Sequence, residues 1–357
     1  MTNQPKIKVG VLGATGSVGQ RFVQLLADHP WFELTAVAAS ERSAGKTYRE
    51  ACNWFLSADI PTNVAEMTIQ PIDTNLDCQL VFSAIPGDIA KPVEEKFAAA
   101  GYGVMSNVKV HRYDADVPLV TAEVNPDHLQ MLPIQRKNRG WDTGFIVTNS
   151  NCSTMPLVIA LAPLHRAFGV KAVIVHTMQA LSGAGYNGVP SLAALDNVIP
   201  FIGGEEEKMV IESKKMLGTF ENAQFTPAEF ALSAHCNRVS TIDGHMETVS
   251  VAFHRPPADE SEIVRLWQEW DPLPQQLGLP SAPVPPIVIR REPNRPQTRL
   301  DRDAGNGMAV SVGRLRKCDV LDYKFVLLSH NTVRGAAGAS VLNAELMLAQ
   351  GMLDGLR

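Results

Sequence analysis

Residues 6–39 constrain the fold more tightly than any other part of the chain. Lys6-Ile7-Lys8-Val9-Gly10-Val11-Leu12 alternates and then turns wholly apolar, as a strand buried on both faces does. Gly13-Ala14-Thr15-Gly16-Ser17-Val18-Gly19 follows, then a helical segment over about 18–28 and a second apolar strand over 34–39. Strand, glycine-rich turn, helix, strand is the opening unit of a dinucleotide-binding domain. Glycine lets backbone approach a pyrophosphate, whose charge then rests on the helix N-terminus. Gly13, Thr15, Gly16, Ser17, Val18 and Gly19 are therefore the first cofactor-binding candidates. The spacing is G-x-x-G-x-x-G, a variant of G-x-G-x-x-G. The flanking β-α-β context, more than the glycines, carries the inference.

The end of the second strand selects the cofactor. An acid there would hold the ribose hydroxyls of NAD. The strand instead ends Ala38-Ala39-Ser40, followed by Glu41-Arg42-Ser43 and Lys46. Ser40, Arg42 and Ser43 suit a 2′-phosphate and so NADP, with Glu41 as the opposing feature. A further buried strand over 79–85 carries Ser83, an amphipathic helix spans about 89–100, and a strand over 103–106 leads to a loop holding Asn107, His111 and Arg112. Repeated β-α units predict a parallel sheet covered on both faces.

A β-like run, Phe145-Ile146-Val147-Thr148, then meets Asn149-Ser150-Asn151-Cys152-Ser153-Thr154-Met155, and a helix follows over about 153–168. Cys152 thus falls where a strand stops and a helix begins. Unpaired N–H groups and the helix dipole favour a thiolate there. Ser150, Asn151, Ser153 and Thr154 are capping residues, and Pro156 is tolerated in a first helical turn. Cys152 is the candidate nucleophile. The helix-start backbone N–H groups are candidates for oxyanion stabilisation.

Beyond it the chain changes texture. A strand over 170–178 runs into the small-residue loop Gln179-Ala180-Leu181-Ser182-Gly183-Ala184-Gly185, and Gly203-Gly204-Glu205-Glu206-Glu207-Lys208 opens a helix to about residue 217. Glu205 and Lys208 share a helix face, as an exposed ion pair also would. A strand is expected over 236–242, carrying Arg238. Asp243-Gly244 marks a turn, and His245 begins the next strand, placed as a candidate acid/base. Residues 271–296 are proline-rich with little periodicity and read as an excursion of the second domain. Strands over 308–316 and 322–329 form a hairpin. His330-Asn331-Thr332 leads to a last helix over about 336–350, apolar on one side and expected to dock on the first domain.

Two domains suit 357 residues. The expected division is 1–150, completed by 331–357, for the dinucleotide, and 151–330 for catalysis and dimerisation. A net charge of −5 excludes an electrostatic footprint for nucleic acid or an anionic membrane. Five cysteines without C-x-x-C pairing read as reduced thiols of a cytoplasmic protein, and the histidines lack metal-ligand spacing.

In order, G-A-T-G-S-V-G, H-R-x-x-x-D-V-P-L-V at 111–120, S-N-C-S-T at 150–154, Q-A-L-S-G-A-G at 179–185, G-G-E-E-E-K at 203–208, N-R-V…D-G-H at 237–245 and H-N-T-V-R-G-A at 330–336 resemble the aspartate-semialdehyde dehydrogenase family, in the branch shared by archaea, fungi and some bacteria. The resemblance spans nearly the whole chain. It implies an α/β fold, an N-terminal Rossmann-like domain joined to a mixed α+β domain with the last helix returning to the first. It also implies NADP-dependent reductive dephosphorylation of aspartyl phosphate to aspartate semialdehyde, a step toward lysine, threonine, methionine and isoleucine. By resemblance Cys152 is the nucleophile, His245 the acid/base, Arg238 the grip on the substrate carboxylate and Glu205 the partner of its amino group. Gln179 orients the intermediate. Lys208 and Arg112, with Asn107 beside them, are matched to the phosphate. Asn331 is matched to the nicotinamide amide, with Ser182, Gly183 and Ser83 in the cofactor set. A homodimer or homotetramer is implied, and no metal. Three readings compete: a sibling reductase for N-acetylglutamyl phosphate or malonyl-CoA, a cofactor-free cysteine hydrolase or acyltransferase, and a nucleotide-sensing binding protein. Glu205 argues against the first, the glycine turn against the second, and Cys152 with His245 against the third.

Overall fold

The computed structural model of the chain describes residues 5–356. It is an α/β protein that divides into two compact units. The first comprises the chain up to Val120, Asp127–Asn149 and the segment from Ser340; the second comprises Thr121–Pro126 and Ser150–Ala339. This division departs from the expected boundaries in three places. Residues 121–126, 150 and 331–339 belong to the second unit, where Arg334 and Glu123 form a buried ion pair and Arg166 donates to the Val124 carbonyl.

Seven parallel strands build the first unit: β1 (Ile7–Leu12), β2 (Phe32–Ala39), β3 (Gln70–Pro71), β4 (Leu80–Ser83), β5 (Gly103–Ser106), β6 (Leu119–Val120) and β7 (Phe145–Asn149). Their order is β3-β2-β1-β4-β5-β7-β6. The order reverses direction at β1, flanked by β2 and β4, so a crevice opens beyond its carboxyl end, where the glycine turn lies. The helix after that turn spans Ser17–Leu26 and buries Phe22, Val23 and Leu26. A Cβ at Gly19 would lie 2.1 Å from the Gly13 carbonyl oxygen, so only glycine allows this helix to sit so close to the strand. The last helix, Gly338–Ala349, is buried on nearly every side rather than on one stripe, including Ser340, Asn343 and Glu345. Its polar residues are paired: Asn343 Nδ2 donates to the Val120 carbonyl and Asn149 Oδ1, and Glu345 meets His29 at 2.8 Å.

The second unit is a six-stranded mixed sheet and a small β9–β10 hairpin (Thr219–Glu221, Gln224–Thr226). The sheet contains β8 (Val170–Gln179), β11 (Ala231–Arg238), β12 (His245–Phe253), β13 (Ile287–Arg290), β14 (Val310–Lys317) and β15 (Tyr323–Ser329), in the order β11-β8-β12-β15-β14-β13. Two expectations need correction. The strand expected over 236–242 lies upstream, so Arg238 ends it. The proline-rich excursion contributes an edge strand, β13, parallel to β14. Four residues are too few for periodicity to show, which is why it was invisible in the sequence. The helix Thr154–Phe168 is buried along Thr154–Leu164, and Trp267 Nε1 donates to its Ala160 carbonyl. No helix among the described residues is long and apolar enough to cross a membrane.

Candidate active site

Strand pairing brings the second unit's polar residues to one end of its sheet. Parallel β8 and β11 finish together, with Gln179 opposite Arg238, and antiparallel β12 starts beside them at His245. Gly244 holds φ +99 in the turn before His245, a conformation that favours glycine. Its N–H donates to Asn331 Oδ1 at 2.8 Å, and Asn331 Nδ2 donates to Ser182 Oγ.

Cys152 enters from the turn before the helix Thr154–Phe168, and its Sγ lies 3.2 Å from His245 Nε2. The other imidazole nitrogen, Nδ1, accepts the Ala180 backbone N–H at 3.0 Å. A nitrogen that accepts carries no proton, so the neutral ring is fixed with its hydrogen on Nε2, directed at the sulfur. Full burial pushes the His245 pKa down to about 3, with the Arg238 charge adding to the shift. At working pH His245 is a neutral donor to sulfur, an arrangement that favours thiolate.

Of the four capping residues expected around Cys152, Asn151 makes the cap. Asn151 Oδ1 accepts from the N–H groups of Ser153 (2.8 Å) and Thr154 (3.1 Å), while neither Ser153 nor another hydroxyl caps the helix. Those two N–H groups are engaged by Asn151, so they do not serve as the expected oxyanion donors.

Glu205 opens the helix Glu205–Met216 in a first turn with Glu206 and Glu207, where the dipole favours acids. Its Oε1 accepts from Asn151 Nδ2 and from Gln179 Nε2, and its Oε2 pairs with Lys208 Nζ at 2.9 Å. The Glu205–Lys208 pair is largely buried, which overturns the exposed-pair reading. Burial pushes the Glu205 pKa up, but Lys208 and the amide donors outweigh it and hold the carboxylate below its ordinary range. Gln179 also donates to Ser153 Oγ. Arg238 Nη1 donates to the Ala180 carbonyl at 2.8 Å, and among the described residues its guanidinium has no carboxylate partner. A cation left this way can take an anion. Two glycines permit the close approach: a Cβ at Gly183 would lie 2.8 Å from Arg238 Nη1 and 3.2 Å from His245 Nε2, and one at Gly335 would lie 2.7 Å from Cys152 Cβ.

The first unit holds the other candidates. Gly13 has φ +80, and a Cβ there would lie 2.6 Å from the Ala84 carbonyl oxygen. Gly16 caps the Ser17–Leu26 helix with no side-chain hydrogen bond, so the helix N-terminus next to Thr15, Ser17 and Val18 suits a phosphate group. Ser40 and Arg42 are exposed beyond β2, and Ser43 N–H donates to the Ser40 carbonyl in the same turn. Ser83 ends β4 and is buried. Arg112 Nη2 donates to the Asn107 carbonyl at 3.2 Å, and Asn149 Nδ2 donates to Asn107 Oδ1. Among the described residues no group of three or more His, Cys, Asp or Glu side chains could hold a metal.

Sequence reasoning did not assign roles to Glu212, Ala180 or Gly335. Glu212 accepts the Asn151 backbone N–H at 2.6 Å. Its spacing of seven from Glu205 placed it on the same helix face, but the partner it finds is far away in sequence. Ala180 acts through its backbone, which leaves no mark in its side chain.

Residues 8–132 match the profile of the semialdehyde dehydrogenase NAD binding domain, and 161–334 that of the semialdehyde dehydrogenase dimerisation domain. The chain is 53% identical to the aspartate-semialdehyde dehydrogenase of Archaeoglobus fulgidus over 97% of this chain and 99% of the relative. It is 47% identical to that of Cryptococcus neoformans, over 99% and 100%. The crystal structure of the Candida albicans aspartate-semialdehyde dehydrogenase with NADP superposes with a TM-score of 0.90 at 42% identity, covering 98% of this chain and all of that one.

Proposed function

The chain belongs to the aspartate-semialdehyde dehydrogenase family, and we propose that it carries out the family reaction through a thioester on Cys152. The reaction is the NADP-dependent reductive dephosphorylation of L-aspartyl 4-phosphate to L-aspartate 4-semialdehyde. The observation that supports this mechanism is the Cys152–His245 pair at 3.2 Å beside a carboxylate, an amide and a guanidinium that, among the described residues, has no hydrogen-bonded carboxylate.

Arg238 offers its planar fork to the substrate α-carboxylate, and Glu205 accepts the α-ammonium. Cys152 Sγ attacks the acyl carbon, the bond to the phosphate oxygen breaks, and inorganic phosphate leaves. Bound NADPH supplies the hydride that reduces the thioester carbonyl. His245 Nε2–H, aimed at the sulfur, hydrogen-bonds the oxyanion that hydride addition leaves on the former carbonyl oxygen. When this thiohemiacetal anion collapses, the oxygen's electron pair re-forms the carbonyl, the C–S bond breaks and sulfur departs as thiolate, again facing Nε2–H. Gln179, held by Ser153 and Glu205, orients the acyl group.

The glycine turn and bare helix N-terminus fit a dinucleotide pyrophosphate, and Ser40, Arg42 and Ser43 are assigned to the 2′-phosphate. Asn331 and Ser182, which meet in the second unit, are assigned to the nicotinamide carboxamide, with Gly183 beside them. Arg112 and Asn107 are assigned to phosphate on the resemblance alone. Lys208 shares that assignment, although here its ammonium is on Glu205. Self-association follows from the dimerisation-domain match; exposed Leu192, Leu195, Val198 and Phe201 supply an apolar stretch suited to a homodimer, and the work is assigned to the cytoplasm.

The test is nicotinamide absorbance. Aspartate semialdehyde, phosphate and NADP⁺ should give NADPH at a rate well above that with malonyl-CoA and NADPH in the opposite direction. Faster oxidation of NADPH by malonyl-CoA would assign the chain to the acyl-CoA reductases.

A further inference from the structure

We propose that Arg334 and Glu123 form a buried positioning pair that sets the Cys152–His245 geometry by holding the turn over residues 330–337. The proposal rests on the reading of Cys152 as nucleophile.

Arg334 and Glu123 are 1% and 2% exposed, and their bidentate hydrogen bonds measure 2.7 and 2.5 Å. Burying two charges costs about as much as their attraction returns, and apolar replacements of similar size are often neutral or stabilising. Stability is therefore a weak reason for such a pair. Its position supplies a stronger one.

Arg334 lies in a π-helical turn, Val333–Ala337. Such turns are rare and need support from their surroundings. Two residues of the 330–337 segment, Gly335 and Asn331, reach Cys152 and the residue before His245. Gly335 packs its backbone on Cys152, leaving no room for a Cβ, and its N–H donates to the His330 carbonyl at 3.0 Å. Asn331 accepts from the N–H of Gly244, the residue before His245. One short segment thus contacts the nucleophile and the backbone of the residue that precedes the acid/base, and the Arg334–Glu123 pair anchors that segment. Glu123 comes from the Thr121–Pro126 stretch, itself fixed by Arg166 on the Val124 carbonyl and by the Asn125 side chain on the Thr121 N–H. The stretch thereby acts as a fixed post. If the turn relaxes, the 3.2 Å contact between sulfur and imidazole is the first geometry lost.

The decisive variant removes both charges together, Glu123→Leu with Arg334→Met, so that no orphan charge is left buried. Glu123→Gln keeps the shape and removes one charge. Arg334→Lys keeps the charge without the fork. For each, kcat and KM are measured with aspartate semialdehyde, phosphate and NADP⁺. The rate of Cys152 alkylation by iodoacetamide is followed against pH by peptide mapping, which separates it from Cys318, the other half-buried thiol.

The neutral pair is expected to melt near the parent temperature but to lose roughly 10–100-fold in kcat, the scale of a small misplacement at the reacting atoms. KM should move by less than about threefold, as expected when only transition-state interactions are lost. The midpoint of the alkylation profile should shift upward as the sulfur loses its Nε2–H donor. Arg334→Lys should recover only part of the kcat loss. Parent-like kcat and alkylation in the folded neutral pair would overturn the proposal. Should that variant not fold, the same result in Glu123→Gln would do so. Failure of the underlying reading looks different: Cys152→Ala would then retain turnover in an otherwise parental chain.

Discussion

Two rows of side chains on one face of the six-stranded sheet lie a single pleat apart and treat buried polarity in opposite ways. The outer row is Arg238, Gln179 and His245, at the strand ends; the inner row is Cys236, Thr177 and Glu247. All six are buried. Alternation alone puts each outer residue two positions from its inner neighbour on the same face. The outer row is charged or donating and is linked to Glu205, Ala180, Ser153 and Cys152. In the inner row neither Glu247 carboxyl oxygen has a hydrogen-bond partner among the described residues, and Cys236 donates to the Met209 sulfur, at 3.6 Å. Burial pushes the Cys236 thiol up to about 12 and, with the Glu205 charge added, raises Glu247 well above the carboxylate range. Burial on a common face therefore does not decide function. Partners decide it: where a side chain keeps its charge or a directed proton, a ligand can use it.

The largest expected contrast is between His245 and Glu247. His245→Asn should lower kcat by roughly 10²–10⁴, the usual worth of a placed acid/base, while aspartyl phosphate still acylates Cys152 because the thiolate attack needs no base. Glu247→Gln, isosteric with the neutral acid, should leave kcat within about threefold. Equal losses in the two variants would break the distinction between the rows. The His245 pKa also has a sign. An unfolded chain protonates this histidine from about 6.5 downward, whereas the native site resists until about 3. Stability contributed by the neutral imidazole is therefore present above pH 6.5 and is lost as pH falls through that window. Alkylation of Cys152 should accordingly show one inflection, from the thiol, and none from imidazole near 6.5.

Arg238 and Cys236 supply a smaller contrast. Arg238→Lys should cost about 1.5–3 kcal/mol in kcat/KM, because an ammonium cannot reproduce a two-point grip on a carboxylate. Iodoacetamide mapping at pH 8 should modify Cys152 and leave Cys236 free, since a buried neutral thiol is a poor nucleophile. An unchanged kcat/KM would mean that Arg238 does not hold the substrate. A Cys236 adduct would remove the claim that its row is inert.

Some of this was legible in the sequence and some was not. The glycine turn was legible because Gly13 and Gly19 answer to steric demands that no other residue meets. The outer row was legible too, since Gln179, Arg238 and His245 border turns that carry small residues or Asp-Gly. The tautomer of His245 was not, because it depends on a backbone N–H at Ala180, sixty-five positions away. Nor was the inner row, where Glu247 in Met246-Glu247-Thr248 looks like any polar position of an alternating strand. The edge strand β13 was hidden by its length, whereas the cap was legible in kind: Asn151, one of the capping residues around Cys152, takes the free N–H groups.

The smallest effect tests the inner row directly, through stability rather than rate. Glu247 is protonated in the native protein well above its ordinary value of 4.5, and burial is the main cause. Between 4.5 and the raised native value the folded state holds a proton that the unfolded chain releases, so stability falls as pH rises through that interval. The sign is opposite to that of a paired carboxylate such as Glu205, whose lowered pKa adds stability above the unfolded value and loses it in acid. Glu247→Gln cannot ionise, so its melting temperature relative to the parent should be near level at pH 4 and rise toward pH 8. Glu247→Met also removes the two unpartnered oxygens, and should add a pH-independent gain of about 1–3 kcal/mol, the usual cost of such atoms. Melting curves of the three proteins at pH 4, 6 and 8 separate these contributions. A difference between Glu247→Gln and parent that does not grow with pH would mean that Glu247 is ionised in the native state, with a partner for its charge. The two rows would then differ only in their distance from the sulfur.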